Sequence, residues 1–230
     1  MRNTHVAPLP KISDKESRWT AGPLTHAALK IAVEQFARKL RKGSGTPYLS
    51  HLFAVSALVM EHGGSEVQAA AGLLHDIIED TPIDAPALQS RLTAAGVDDA
   101  VARHVVDIVE VNTDGKFGQP RNENTWHPRK HDYLNKLRAK AAGDPALLVS
   151  LADKVHNSEV TLVVIRGGTT ATEFYTKPWF NAKAPAQMKY YTSLSGIFRE
   201  RLGTDESAGP LVERLELAVA EIFADMTGPR

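Results

Sequence analysis

His75 and Asp76 begin a short polar run whose residue types are those of metal sites. The run continues to Glu79 and Asp80, at the end of an otherwise apolar segment. On an α-helix, residues four apart share a face, so His75 should lie beside Glu79 and Asp76 beside Asp80. The segment therefore offers one imidazole and three carboxylates, which can bind metal ions and transfer protons. The alternative is a solvated, charged helix end.

Two further segments carry residues that could complete a metal site. His51 follows a loop containing Gly and Pro and precedes an apolar run, which places it near a helix start. Asp153 and Asn157 stand four apart in a segment whose apolar residues repeat at helical spacing. Burying an unpaired carboxylate is costly, so this polar pair needs a partner inside the protein. A metal ion would satisfy it.

The predicted ligands are therefore His51, His75, Asp76 and Asp153. Two imidazoles and two carboxylates suit Mn, Fe or Zn and match Ca poorly. Metal binding needs neutral imidazoles and ionised carboxylates, so the affinity should fall in acid. With positions left open for water and substrate, such a site supports hydrolysis near neutral pH.

The order of these residues, a His, then a His-Asp pair, then an Asp, is that of the HD phosphohydrolase signature. The flanking residues narrow the match, and they are Arg41-Lys42, Pro47-Tyr48, the run from His75 to Thr81 and the run from Leu151 to Asn157. Over roughly residues 24–161, the chain closely resembles the hydrolase domain of the RelA/SpoT superfamily. The resemblance is strongest to the single-domain members, the small alarmone hydrolases.

This resemblance implies an all-α fold, an HD-domain helical bundle with a metal site between core helices. It also implies a Mn-dependent enzyme that hydrolyses the 3′-pyrophosphate of alarmone nucleotides, (p)ppGpp and also (p)ppApp, and releases pyrophosphate. Mn²⁺ is the expected cofactor, with other divalent transition metals as alternatives. The alternative functions are another HD phosphohydrolase acting on nucleoside phosphates and a non-catalytic nucleotide sensor or antitoxin. Intact acidic residues after the His-Asp pair argue against a silent protein.

The resemblance also assigns roles to residues outside the metal set. Glu79 and Asp80 are the expected catalytic residues, because a hydrolase must take a proton from water and protonate the leaving oxygen. Arg41 and Lys42 match a pair that lies near the nucleotide in the family, so we expect them to bind substrate. The amide of Asn157 could hold a ligand, a water or a ribose hydroxyl. The alternative for both charged pairs is a solvated helix end.

The run Ser158-Glu159-Val160 departs from the family pattern, which has Met or Leu, then Arg, then Thr or Asp. The change reverses one charge, so a strict guanine preference is not predicted. His156 follows the family pattern and is interpreted as structural. Tyr48 could stack on a ligand or pack beside Pro47.

Composition excludes several classes of protein. The 230 residues are 43% hydrophobic, and Lys plus Arg equal Asp plus Glu at 27 each. With no global basic charge, partnership with a nucleic acid polymer or an anionic membrane is not expected. The absence of cysteine excludes disulfides and fits a cytoplasmic location. The sequence shows neither a signal-peptide core nor a membrane-spanning run. The expected partner is the alarmone nucleotide, and a homodimer is one alternative for the oligomeric state.

Helical patterns predict a single domain over residues 21–230, preceded by a polar tail or strap over residues 1–20. Ser65 and Gln68 form the pattern of a capping box. The loop over residues 112–125 is either a solvated connection or a phosphate-contacting lid. We expect the aromatic residues between 174 and 191 in the core or a subunit interface. The predicted helices span about 25–41, 50–61, 65–80, 98–110, 133–142, 145–165, 185–202 and 210–226, and a further helix is predicted to start at Asp84 or Pro86.

Overall fold

The computed structural model describes residues 20–227, which form helices and loops without a β-strand. The predicted all-α class is confirmed. The predicted tail lies outside the described residues, except for Thr20. The helices are α1 (Pro23–Phe36), α2 (Leu49–Glu61), α3 (Glu66–Leu74), α4 (Ile77–Asp80), α5 (Ala85–Ala94), α6 (Asp99–Asn112), α7 (Glu123–Arg138), α8 (Pro145–Arg166), α9 (Ala171–Phe174), α10 (Ala184–Leu202), α11 (Gly209–Ile222) and α12 (Ala224–Thr227).

Helix α8 is the centre of the fold. It packs against α2, α3, α6, α10 and α11. Every residue from Ala146 to Asp153 is buried, which is the pattern of a helix enclosed on all sides. This burial places Asp153 in the middle of the protein.

Helices α2 and α3 approach each other closely because α3 carries small residues. A Cβ atom at Gly72 would lie 3.2 Å from the Cα of Ser56 on α2. The hydroxyl of Ser56 donates to the carbonyl of Ala69, 2.9 Å away. The close contact brings His51 and His75 together, with ring centroids 5.0 Å apart.

Helix α3 begins with the predicted capping box but ends earlier than predicted. Ser65 accepts a hydrogen bond from the backbone N–H of Gln68. The helix then stops at Leu74, and Asp76 has φ −95° and ψ 3°, so α4 is a separate single turn. The prediction of one continuous helix through Asp80 was therefore wrong.

Helix α1 also ends earlier than predicted, at Phe36 rather than near Arg41. Residues 39–48 instead fold back on themselves, with the Arg41 N–H bonded to the Thr46 carbonyl at 2.8 Å. Gly43 sits in this turn at φ +85°, a conformation that favours glycine. Arg41 and Lys42 therefore lie on a turn and not on a helix end.

Helix α7 begins ten residues before the predicted start. Asn122 caps it through a capping box with Thr125, and Pro128 lies inside the helix, where only one backbone hydrogen bond is lost. Helical periodicity did not predict the first part of this helix, because its first turn is polar and it contains a proline. The loop shortens to residues 113–122, and Arg129 and Lys130 lie on a helix.

Candidate active site

The four predicted metal ligands converge from three parts of the fold. His51 comes from α2, Asp153 from α8, and His75 and Asp76 from the turn between α3 and α4. The ligand atoms of His51, His75 and Asp153 all lie within 4.8 Å of one another. The fourth residue, Asp76, places Oδ2 3.0 Å from Nε2 of His75 and 3.6 Å from Nε2 of His51.

The environment of His75 fits a divalent cation. Its Nδ1 bonds to the carbonyl of Gly72 at 2.8 Å, so that its Nε2 faces the carboxylates. That Nε2 is buried and has no hydrogen bond of acceptable geometry among the described residues. Burial alone would lower the pKa of His75, but Asp76 and Asp153 raise it well above its usual value. Two carboxylates therefore converge where positive charge is favoured, and the N₂O₂ donor set suits Mn, Fe or Zn.

Two neighbours orient these ligands. The Nδ1 atoms of His51 and His156 lie 2.8 Å apart, within hydrogen-bonding distance, which leaves Nε2 of His51 facing the carboxylates. Tyr48 donates to Oδ2 of Asp76 at 2.5 Å, and its ring stacks on Phe36. Tyr48 therefore packs against Phe36 and also bonds to the predicted ligand Asp76. His156 was interpreted as structural, and its contact with His51 gives it a further role, which is to orient a predicted ligand.

A chain of polar contacts links Asp153 to the predicted substrate-binding residues. Its Oδ2 lies 2.5 Å from Nζ of Lys154, and its Oδ1 accepts from Asn157 at 2.5 Å. The amide oxygen of Asn157 in turn accepts from Arg41 at 2.7 Å. The structure therefore brings Arg41 and Asn157 beside the ligand Asp153. Lys42 lines the same cavity.

Glu79 lies on α4 with its carboxylate in the wall of the cavity. Its Oε1 accepts from the backbone N–H of Asp114 at 2.5 Å, and its Oε2 accepts from Arg121 at 2.9 Å. Burial raises the pKa of Glu79 to about 7, with further contributions from the negative charges of Asp114 and Asp76. A carboxyl group with this pKa can exchange a proton near neutral pH.

Asp80 shares the cavity wall and is also held by cations. Its Oδ2 lies 2.6 Å from Nζ of Lys39, and its Oδ1 lies 3.7 Å from Arg121. Arg121 lies in the segment predicted as a loop over residues 112–125, and nothing in the sequence pairs either Arg121 or Lys39 with a carboxylate. Neither ion pair has a signal in the local sequence, since Arg121 and Glu79 are 42 positions apart.

One cavity of about 620 Å³ connects the metal ligands to a cationic wall and an aromatic wall. Its volume lies in the range of small-molecule sites. The aromatic residues between 174 and 191 contact one another, for example Phe174 and Phe180 at 4.9 Å, and they also line the cavity. The expectation that they would only pack in the core or at an interface was therefore incomplete. The aromatic lining residues are Tyr48, Trp126, Tyr133, Phe174, Tyr175, Trp179, Phe180, Tyr190 and Tyr191.

Of the three residues after Asn157 that depart from the family pattern, only Val160 lines the cavity. Ser158 is fully buried and donates to the carbonyl of Val155, while Glu159 forms an ion pair with Arg214 of α11 at 2.8 Å. Val160 lines the cavity and offers no side-chain hydrogen bond. The reversed charge at Glu159 is thus neutralised between helices and does not enter the cavity.

Comparison with known proteins defines the class to which this fold and site belong. The HD domain family model matches residues 28–162, more than half of the chain. The chain belongs to the HD domain family, and the assignment made from the His-Asp pattern is confirmed. No helix in the part of the chain from Thr20 to Thr227 is long and apolar enough to cross a membrane.

The similar curated proteins are enzymes named for alarmone metabolism. The chain is 30% identical over 130 residues to a probable guanosine-3′,5′-bis(diphosphate) 3′-pyrophosphohydrolase of Synechocystis, covering 56% of this chain and 16% of that protein. It is 33% identical over 133 residues to a GTP pyrophosphokinase of Streptomyces antibioticus, covering 54% and 13% respectively. Each aligned region thus spans less than a fifth of the relative it matches.

Two solved structures share the fold. One is described as a metazoan ortholog of SpoT that hydrolyses ppGpp, and it superposes with a TM-score of 0.62 at 21% identity, covering 91% of this chain and 98% of that chain. The other, from Listeria monocytogenes EGD-e, gives a TM-score of 0.55 at 20% identity and covers 78% and 99%. These similarities extend the shared fold beyond the HD family match.

Proposed function

We propose that the chain is a metal-dependent hydrolase that removes the 3′-pyrophosphate from alarmone nucleotides such as ppGpp and ppApp. The observation that carries this proposal is one cavity that joins His51, Asp76 and Asp153 to the acids Glu79 and Asp80. The names of the relatives support the substrate class, and the HD family match at residues 28–162 contains every one of these residues. A divalent metal, with Mn²⁺ as the first choice, would be held by these three residues together with the fourth ligand, His75.

The proposed reaction needs a nucleophile and a proton carrier. A bound divalent metal supplies Lewis-acid activation of the attacking water. The water oxygen bonds to the phosphorus attached to O3′, the P–O3′ bond breaks, and O3′ takes up a proton as pyrophosphate leaves. Glu79 is suited to take the proton of the water, because its pKa of about 7 leaves an ionised fraction at neutral pH. Asp80 lies beside it and shares Arg121.

The substrate is anionic, and the cavity supplies cations to receive it. Lys39 and Arg121 pair with the acids in the wall, Lys42 also lines the cavity, and Arg41 is bonded to Asn157 beside Asp153. One guanidinium nitrogen of Arg41, Nη1, is buried without a hydrogen-bond partner among residues 20–227. We propose that Arg41, Lys42 and Asn157 bind the nucleotide, because each lines the cavity and one donor is left free.

A panel of substrates tests the proposed function. With Mn²⁺ present, the purified protein is offered 3′-pyrophosphorylated nucleotides, nucleoside triphosphates, deoxynucleotides and cyclic nucleotides, and released pyrophosphate and phosphate are quantified. We expect turnover of the first group only. Turnover of the other groups instead would indicate a different HD phosphohydrolase. Nucleotide binding without turnover of any group would indicate a sensor.

A further inference from the structure

The hydroxyl of Tyr190 is a buried polar group at the wall of the cavity. The residue is 6% exposed, it lines the cavity, and its hydroxyl makes no hydrogen bond within the part of the chain that is described. Burying a hydroxyl without a hydrogen bond is destabilising, so such groups are rare in folded proteins. A hydroxyl left free at the wall of a cavity is available to a ligand.

The ring of Tyr190 is held firmly, so the hydroxyl has a defined position. Trp126 of α7 and Tyr191 of α10 meet the ring edge to face, with centroids 5.8 Å and 5.6 Å away. Nζ of Lys130 lies 5.0 Å from the ring centroid. Burial raises the pKa of Tyr190, so the hydroxyl stays protonated and can donate.

Cations and carboxylates both surround this ring. Arg129 and Lys130 pair with the carboxylate of Asp114, and Lys154, Asp114, Asp153 and Glu79 are the charged groups that act on the Tyr190 hydroxyl. Nε of Arg129 is also buried without a partner among the described residues. This nitrogen and the Tyr190 hydroxyl are both donors, so the ligand atom that suits them is an oxygen acceptor, and an anionic oxygen accepts a stronger hydrogen bond than a neutral one.

We propose that Tyr190 is a substrate-binding residue whose hydroxyl donates a hydrogen bond to a phosphoryl oxygen of the substrate, beside Lys130. The proposal rests on the proposed function only in assuming that the ligand carries pyrophosphate. It assigns α10, which lies outside the HD family match at residues 28–162, a direct part in the site. The phosphoryl contact would explain why a buried hydroxyl has no partner among residues 20–227.

The test is the substitution Tyr190→Phe, which removes only the hydroxyl. Binding of inorganic pyrophosphate in Mn²⁺ buffer is measured by calorimetry, with uncharged adenosine as a second probe. Thermal unfolding is measured without ligand, and Tyr133→Phe is the matched stability control. The hydroxyl of Tyr133 is buried but bonded to Ser150 at 2.5 Å.

We expect Tyr190→Phe to weaken pyrophosphate binding roughly tenfold to a hundredfold, the effect of one hydrogen bond to a charged acceptor. Adenosine binding should stay the same. The Tm of Tyr190→Phe should equal or exceed that of the wild type, whereas Tyr133→Phe should lose about 2–4 °C. Unchanged pyrophosphate affinity, or an equal loss for adenosine, would overturn the proposal.

The experiment also separates this proposal from the proposed function. If the wild-type protein hydrolyses none of the 3′-pyrophosphorylated nucleotides but Tyr190→Phe still loses affinity for pyrophosphate, the phosphoryl contact stands and the proposed function fails. If the nucleotides are hydrolysed and Tyr190→Phe binds pyrophosphate as the wild type does, the contact is refuted and the proposed function stands.

Discussion

The imidazole rings of His51 and His156 meet through their Nδ1 atoms, 2.8 Å apart, although 105 positions separate them in the chain. One ring must donate and the other accept. With Nε2 of His51 free of a proton for a metal, its Nδ1 carries the proton and His156 accepts it. Burial, together with the positive charge of Arg41, lowers the pKa of His156 to about 4, so this acceptor is neutral at neutral pH.

We predict that His156→Ala weakens metal binding about 10- to 100-fold, the usual effect of removing a partner that orients a ligand. The variant should still fold, since His156 is only partly buried. The affinity for Mn²⁺ is measured by calorimetric titration. His131→Ala is the control, because the side chain of His131 is 71% exposed and distant from the ligands. Equal affinity in the two variants would exclude a role for His156 in the site.

Substitution of a predicted metal ligand should reduce metal binding more than substitution of a neighbouring residue. His75→Ala and Asp153→Ala should each abolish both activity and stoichiometric metal, because three of four protein ligands leave an incomplete shell. Metal analysis of the purified variants is the measurement, with circular dichroism to verify the helical fold. Full Mn occupancy in both variants would show that these residues are not ligands.

Glu79→Gln should retain the metal and the fold but lose roughly 10²- to 10⁴-fold in kcat, the usual effect of removing a positioned acid or base. As a base, the wild-type carboxyl must be ionised, so kcat/KM should fall as the pH drops below the pKa of about 7. Arg121→Gln removes the cation 2.9 Å from this carboxylate and should move that limb to higher pH. An unchanged pH profile in Arg121→Gln, together with full activity in Glu79→Gln, would show that Glu79 has no catalytic role.

Asp114 should control the stability of the metal-free protein in acid. Burial disfavours its ionisation, but Lys130 and Arg129 outweigh this and hold its pKa below the usual range. A carboxyl whose pKa is lower in the folded state stabilises the fold above its unfolded pKa of about 4 and loses that effect as the pH falls.

The matching substitution is Asp114→Asn, which leaves Arg129 and Lys130 without their counter-ion. We expect it to cost about 3–5 kcal/mol at pH 7, as for a broken buried ion pair. Urea unfolding at pH 7 and pH 3 measures the difference, which should shrink at the lower pH. Asp132→Asn, at a side chain that is 77% exposed, is the control and should change stability little. A similar small effect at Asp114 would contradict the prediction.

The protein should discriminate only weakly between the guanine and adenine bases of its nucleotide substrates. Val160 faces the cavity without a hydrogen-bonding group, and Glu159 is turned away to Arg214, so the altered run provides no contact to a purine edge. We expect kcat/KM for ppGpp and ppApp to differ by less than about two orders of magnitude, under about 3 kcal/mol in transition-state binding. Matched kinetics on both substrates measure this ratio. A preference above a thousandfold would require a base contact elsewhere in the cavity.

The sequence alone predicted the class of the fold and the four residues that the structure brings together as candidate metal ligands. Helical periodicity is a local property, and it predicted α2, α8 and α10 nearly to their ends, whereas the single helix predicted over residues 210–226 divides into α11 and α12. The ordered pattern of His and Asp identified the HD family, because metal ligands are few in type and restrictive in spacing. The capping box at Ser65 is equally local.

The surroundings of the site depend on contacts between distant segments, which no local pattern specifies. Arg121 and Glu79 are 42 positions apart, and His51 and His156 are 105 apart. Local rules also failed at Asp76, where the helix breaks after α3 so that His75 and Asp76 can both face the other ligands. The packing of α7, α8 and α10 decides which buried polar groups have hydrogen-bond partners. The hydroxyl of Tyr190, for example, lies at the cavity with no partner among the described residues. Packing is a property of the whole chain, because each buried group is satisfied or left free by residues far from it in sequence.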